Sequence, residues 1–129
     1  MIRFFGGRVM TLANGIETQD IEVWTEGSKI VFVGKPTAEE LDGKVFEREY
    51  DLKGNLLMPS FKNAHTHSAM TFLRSYADDM PLQDWLFKQI FPMEAKLDGE
   101  KVYWLTKLAI LEYLTTGCTA AFDMYFELD

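Results

Sequence analysis

The stretch that decides the fold reads Leu-Leu-Met-Pro-Ser-Phe-Lys-Asn-Ala-His-Thr-His, residues 56–67. It opens with an apolar run and closes with the only two histidines of the chain, His65 and His67. Residues 56 to about 64 are predicted to form one buried-type strand, although Pro59 within it is better suited to a strand end or edge. Residues i and i+2 of a strand point to the same face, so the two imidazoles are predicted to lie side by side at a strand end, with Asn63 on the same face. Neutral imidazole is a common ligand of zinc and other late first-row metals. The pair therefore predicts half of a metal site.

Helices are predicted after the histidine pair. The first begins at Pro81 and runs to about Ile90, because proline suits the first helical position. Pro92 is predicted to kink or end this helix, since it lacks the N–H that an interior position needs.

A longer helix is predicted over residues 100–116, with Asp98 as its N-cap and Gly117 just beyond its end. Its apolar residues cover a wide arc, which predicts a well-buried helix. A strand is predicted over residues 119–124. From residue 55 on, the order is therefore strand, helix, helix, strand, which is the start of a parallel α/β structure.

The first part of the chain is predicted to be a separate β-rich region over residues 1–54. Gly6-Gly7 interrupts an early apolar run. Gly27-Ser28 lies between two β-rich runs and is typical of a two-residue hairpin turn of type II′. Alternating apolar and charged residues over 46–52 predict a half-exposed strand.

Composition excludes several functional classes. The formal net charge of −7 argues against a nucleic-acid surface, which needs a basic patch. The sequence has neither a stretch of roughly 18 apolar residues nor a signal peptide, which argues against a membrane protein. Cys118 is the only cysteine, so the chain has no disulfide framework, as is usual in a reducing compartment. We therefore expect a cytoplasmic protein.

The segment Met58–His67 resembles the first barrel strand of the amidohydrolase superfamily. Later motifs are similar to those of the 5′-methylthioadenosine/S-adenosylhomocysteine deaminases; they are Met70–Arg74, Tyr76–Asp79, Leu82, Trp85-Leu86, Pro92–Leu97 and Asp123–Tyr125. The resemblance is specific over residues 56–126 and loose over residues 1–55. It implies an α/β fold in which strands of a small β-sandwich precede the first two strands and intervening helices of a metal-dependent (β/α)8 barrel.

The resemblance also implies roles for individual residues. His65 and His67 would be the first two ligands of a divalent metal, with zinc the favoured ion. Glu94 would contact the ribose hydroxyls of a nucleoside-type substrate, and Trp85 would line the substrate pocket. The remaining ligands and the proton shuttle come from later strands in the family, so no catalytic residue is identified here. A complete barrel takes roughly 250 residues, so residues 55–129 are interpreted as its N-terminal portion.

Other interpretations stay open at this stage. Glu94 also fits a solvent-facing helix charge, and Trp85 also fits a core residue. The chain also fits another amidohydrolase, such as a guanine or cytosine deaminase or a triazine chlorohydrolase, or a non-catalytic assembly module. On the leading interpretation, the isolated chain is expected to be inactive, because the later metal ligands are absent from it. It is also expected to self-associate, because a two-strand piece of a barrel leaves strand edges and an apolar helix face uncovered.

Overall fold

The computed structural model describes residues 1–13 and 15–125 and is of the α/β class. The chain divides into two compact units, Met1–Pro59 and Ser60–Asp129. This division falls five residues after the predicted boundary between residues 54 and 55. The reason is that Leu56 and Leu57 pair with Arg8 and Val9 and therefore belong to the first unit.

The first unit contains two sheets. Its elements are β1 (Ile2–Phe5), β2 (Arg8–Thr11), β3 (Glu17–Gln19), β4 (Glu22–Glu26), β5 (Lys29–Gly34), the helical turn α1 (Ala38–Leu41), β6 (Arg48–Asp51) and β7 (Leu56–Leu57). Strands β5, β4, β1 and β6 form one sheet in that order, and β3, β2 and β7 form the other. In each sheet the strand that comes first in the chain pairs antiparallel with one neighbour and parallel with the other.

Glycines make two of the turns in this unit, and the sequence predicts the one at Gly27. Gly6 separates β1 from β2 with a φ of 70°, and a Cβ at this position would collide with the side chain of Asp51. Gly27 has a φ of 56° and joins β4 to β5 through a two-residue loop. A positive φ costs glycine little, so these two positions allow turns that other residues would strain.

The core of the first unit is built around Trp24. Its ring is buried, stacks on Phe32 at a centroid distance of 4.1 Å and meets the edge of Phe46 at 5.2 Å. Val9 and Val23 are buried as well. Aromatic pairs in such arrangements add to the stabilisation that burial of their area provides.

An ion-pair cluster joins three strands of the larger sheet. Arg3 donates from Nε and Nη2 to the two carboxylate oxygens of Glu22, both at 2.7 Å, and from Nη1 to Glu49 at 2.9 Å. The guanidinium also lies 4.7 Å from the ring centroid of Phe5. The hydrogen bonds from Arg3 hold the pKa of Glu22 below its usual range despite opposing desolvation, and a bond from Trp24 acts in the same direction.

The second unit contains a pair of parallel strands connected by helices. This is the predicted order of strand, helix, helix, strand. The elements are β8 (Phe61–Thr66), a 3-10 helix (Ser68–Leu73), α2 (Leu82–Asp84), a π-helical segment (Trp85–Ile90), α3 (Phe91–Glu94), α4 (Gly99–Thr115) and β9 (Cys118–Asp123).

The predicted limits of α4 are confirmed within one residue. The Asp98 side chain accepts a hydrogen bond from the backbone N–H of Lys101 at 2.9 Å, as an N-cap does. Gly117 follows the helix with a φ of 78°. Cys118, which opens β9, is buried. At 17 residues α4 is the longest helix of the described ranges, and none there is long and apolar enough to cross a membrane.

Two expectations about prolines need correction. The apolar run from residue 56 does not form one strand, because pairing stops after Leu57 and resumes at Phe61, with Pro59 between them. Proline has no N–H for a strand ladder. The helical backbone also does not end at Pro92. The preceding turns widen to π-helix, in which the Phe91 N–H bonds to the carbonyl of Leu86, and Pro92 falls in the first turn of α3, where no N–H is required.

The prediction that α4 is well buried is wrong. Among its residues only Ala109 is buried, while Trp104, Leu111 and Leu114 are 59%, 60% and 61% exposed. In the described part of the chain, α4 packs mainly on the 3-10 helix and on β9. Within the described residues, much of its apolar arc is therefore left exposed.

Replacing Glu22 by Gln should destabilise the first unit by about 1.5–3 kcal/mol at neutral pH, the range for a hydrogen bond to a charged group. The lowered pKa means that the carboxylate stabilises the fold above the ordinary glutamate range and that this contribution is lost as the pH falls through the folded-state value. The difference between the wild type and Glu22→Gln should therefore shrink on acidification, as measured by urea unfolding at several pH values.

Glu49→Gln provides the matched control. It removes the second partner of the same arginine, but the Glu49 side chain is 47% exposed against 16% for Glu22. We expect a loss of about 1 kcal/mol or less, as for exposed pairs. Equal losses of unfolding free energy in Glu22→Gln and Glu49→Gln would contradict the conclusion that the less exposed Glu22 is the stronger partner of Arg3.

Candidate metal centre

The carboxyl end of β8 presents the two imidazoles together. His65 lies within β8 and His67 directly follows it. Their ring centroids are 4.9 Å apart and the rings are inclined at 84°. Two imidazoles on one tetrahedral zinc, with Zn–N distances of about 2.0–2.1 Å, have centroids about 5 Å apart. The observed separation therefore fits two ligands of one ion.

The hydrogen bond of His67 determines which ring nitrogen is available as a ligand. Its Nδ1 lies 2.6 Å from the backbone carbonyl oxygen of Met124. A carbonyl oxygen can only accept, so Nδ1 carries the proton and donates. The neutral ring then has its lone pair on Nε2. Metal-binding histidines commonly have such a partner, which sets the tautomer and the ring orientation.

The two faces of β8 have different neighbours. Thr66 contacts α4, with its Oγ1 2.5 Å from the hydroxyl of Tyr113. His65, one position earlier, is exposed. Asn63 shares the face of His65 by parity, and its Oδ1 accepts a hydrogen bond from the backbone N–H of His65 at 3.2 Å. His65 therefore lies on the face of β8 opposite Thr66, the residue that contacts α4, whereas His67 follows the strand and lines a cleft that α4 residues also line.

The pair has no further ligand nearby within residues 1–13 and 15–125. No group of three or more His, Cys, Asp or Glu side chains is arranged there to hold a metal. Asp123, at the end of the neighbouring strand, instead accepts a hydrogen bond from the backbone N–H of Ser68 at 3.1 Å. The described residues thus bring together two candidate metal ligands, which would be half of a tetrahedral set.

A cleft of about 390 Å³ has His67 and Trp85 in its wall together with Tyr113 of α4, but His65 does not line it. Arg74 and Glu112 also line it and form an ion pair at 2.8 Å. The structure thus brings Trp85, the predicted pocket residue, to the same cleft as one of the histidines. Glu94 lies at the end of α3, half-buried, and is not among the residues that line this cleft.

Tyr113 and Ser68 lie next to His67 in the structure but were not identified from the sequence as residues of the site. The Tyr113 hydroxyl contacts Thr66 on one side of His67 and Ser68 on the other. Nothing in the sequence distinguishes Tyr113 from Tyr103 on the same helix. The only available signal is the position of Ser68 next to the histidine motif.

Comparison with known proteins identifies the family. The sequence profile of the amidohydrolase family matches residues 56–129, more than half of the chain. The chain therefore belongs to the amidohydrolase family, and the resemblance stated above is confirmed.

Two curated relatives are named 5-methylthioadenosine/S-adenosylhomocysteine deaminases. The protein of Pelotomaculum thermopropionicum is 45% identical over 111 residues, which cover 86% of this chain and 25% of that protein. The protein of Archaeoglobus fulgidus, numbered 1, is 43% identical over 128 residues, or 98% of this chain and 28% of that protein. The chain thus spans about a quarter of the length of these relatives.

A similar solved structure is that of an adenosine deaminase from Xanthomonas campestris with bound zinc. It superposes with a TM-score of 0.88 at 36% sequence identity. The match covers 98% of this chain and 29% of that one. The likeness extends over nearly all of the present sequence but over less than a third of the relative.

Proposed function

We propose that this sequence forms the first part of a metal-dependent aminohydrolase that deaminates adenosine derivatives such as 5′-methylthioadenosine or S-adenosylhomocysteine. The observation that carries the proposal is the pairing of His65 and His67 at the end of β8, with the Nδ1 of His67 bonded to a backbone carbonyl. The names of the two curated relatives support the choice of substrate class over guanine or triazine substrates.

We also propose that β8 and β9 are the first two strands of a (β/α)8 barrel and that the first unit is part of a β-sandwich. The strands are parallel, and helices connect them. The candidate ligands lie at the carboxyl end of the first strand, the end at which barrel enzymes place their active sites. The unpacked apolar residues of α4 are consistent with a larger assembly around this unit.

Each candidate residue then has a defined role. His65 and His67 would hold the ion through their ring nitrogens, and the Met124 carbonyl holds the His67 ring in the tautomer that would leave Nε2 free for this. When bound, a divalent metal such as zinc supplies an activated water for hydrolysis at neutral pH. Trp85 offers a flat apolar wall to the purine, and the carboxylate of Glu94 accepts hydrogen bonds from the ribose hydroxyls.

The activity test uses the protein expressed from the uninterrupted reading frame that contains this sequence. With zinc present, it should release ammonia from 5′-methylthioadenosine or S-adenosylhomocysteine, and His65→Ala should abolish turnover. The 129-residue chain alone should show none, because its described residues supply only two ligands. Turnover of guanine or a chlorotriazine but not of any adenosine derivative would contradict the proposal.

Zinc binding can be measured separately on the 129-residue chain by calorimetric titration. We expect one ion per histidine pair. His65→Ala and His67→Ala should each lower the affinity about ten-fold or more, since even residues that only support a ligand contribute that much. Lys62→Ala, an exposed change on the same strand, is the control and should leave the affinity unchanged. Wild-type affinity in both histidine variants would place the metal elsewhere.

The isolated chain is also expected to self-associate through its uncovered apolar surface. Leu111 and Leu114 on α4 and Phe122 on β9 are 60%, 61% and 70% exposed, and β8 and β9 form a sheet of only two strands. Sedimentation velocity should show oligomers that grow with concentration. Changing both leucines to Glu should reduce the association, while Glu100→Gln on the same helix should not. A wild-type chain that stays monomeric at high concentration would contradict this expectation.

A further inference from the structure

We infer that the hydroxyl of Tyr113 is a positioning group for His67: it ties together the two residues that flank this candidate ligand and so holds its ring in the metal-binding tautomer. The expected effect of Tyr113 on metal affinity rests on the function proposed above. Its effect on the tautomer of His67 does not, because the tautomer can be measured in the chain without metal.

The Tyr113 hydroxyl oxygen takes part in two hydrogen bonds. The Tyr113 hydroxyl lies 2.5 Å from Thr66 Oγ1 and 2.8 Å from Ser68 Oγ. These residues directly precede and follow His67, and Ser68 is the buried polar residue of the unit's core. One phenol thus bridges the backbone across the ligand from the side of α4.

Three further bonds hold the same residues from the side of β9. The backbone N–H of Met124 donates to the carbonyl of Thr66 at 2.9 Å, and the N–H of Ser68 donates to Asp123 at 3.1 Å. The third is the 2.6 Å bond from His67 Nδ1 to the Met124 carbonyl. The hydrogen bond between His67 Nδ1 and the Met124 carbonyl therefore forms only while Thr66 and Ser68 stay in their positions next to β9.

The strand ladder is interrupted next to the histidine pair. The pairing of β8 with β9 shifts register between Asn63 and Thr66 and resumes where Thr66 lies opposite Asp123. Side-chain hydrogen bonds from Tyr113 add to the backbone bond between Met124 and Thr66 at this end. The bridge from Tyr113 is the one that reaches both flanking residues at once.

Removing the hydroxyl should release the histidine. Tyr113→Phe leaves the oxygens of Thr66 and Ser68 without this partner, and an unpaired buried polar group is costly. The strand end then shifts toward other partners, and the bond between Nδ1 and the Met124 carbonyl weakens. Loss of the group that orients a metal-bound histidine typically lowers metal affinity about 10–100-fold.

The chain offers matched controls for this change. Tyr103 lies on the same helix, is exposed, and contacts Trp104 and Lys107 through its ring. Tyr103→Phe therefore removes the same atom without touching β8. At the other end of the bridge, Thr66→Val removes the hydroxyl with little change in shape, whereas Thr66→Ser keeps it and should restore the wild-type behaviour.

The deciding experiment is ¹⁵N NMR of the histidine rings in the 129-residue chain without metal, at a pH of about 8.5, where histidine is ordinarily neutral. The chain has two histidines, so His65→Ala assigns both sets of signals. His67 should show one tautomer, protonated on Nδ1, in the wild type, Tyr103→Phe and Thr66→Ser. Tyr113→Phe and Thr66→Val should show a mixture of tautomers and an approximately ten-fold lower affinity for Zn²⁺.

The outcomes separate this inference from the proposed function. Wild-type His67 signals in Tyr113→Phe would overturn the inference. If that variant does not fold, as judged by circular dichroism, Thr66→Val tests the same bridge. A changed tautomer with unchanged zinc affinity would overturn the role toward the metal. If Tyr113→Phe changes the tautomer but the wild-type chain binds no zinc, the result would support the positioning role of Tyr113 and count against the proposed function.

Discussion

The hydrogen bond between His67 Nδ1 and the Met124 carbonyl is the interaction on which the candidate site depends. It joins residues 57 positions apart and exists because β8 and β9 are parallel, so their carboxyl ends lie at the same edge. The helices between the strands make this arrangement possible, since a parallel pair needs a long crossover connection. The fold thereby places a carbonyl where it selects the tautomer of a candidate ligand.

Different interactions stabilise the two units. The first holds its larger sheet together through Trp24 and the charge cluster around Arg3, in which each charge has a hydrogen-bonded partner. The second relies on a small core and on hydroxyl contacts at the end of β8, and it leaves much of the apolar arc of α4 exposed. A helix with this composition is stable in a folded protein chiefly through what packs against it. The second unit is therefore the part whose stability depends more on further packing partners.

Local sequence signals predicted local structure well. Asp98 and Gly117 marked the ends of α4, and Gly27 marked a hairpin, because each of these residues acts on backbone groups within a few positions of itself. The helix end that was one of the two alternatives for Pro92 and the burial of α4 were both wrong for a common reason. Whether a helix continues past a proline by widening, and which side of an apolar helix is covered, both depend on neighbours that local periodicity does not contain.

The sequence by itself determined that two imidazoles stand together, because a spacing of two at a strand end places them there in any fold that keeps the strand. It also carried enough family likeness to assign the chain to the amidohydrolases. Only the tertiary structure decided the partners of that pair. Tyr113 and Met124 reach Thr66, Ser68 and His67 through the packing of α4 and β9 on β8. Contacts of this kind join residues more than 40 positions apart, and the pattern around each residue alone does not specify them.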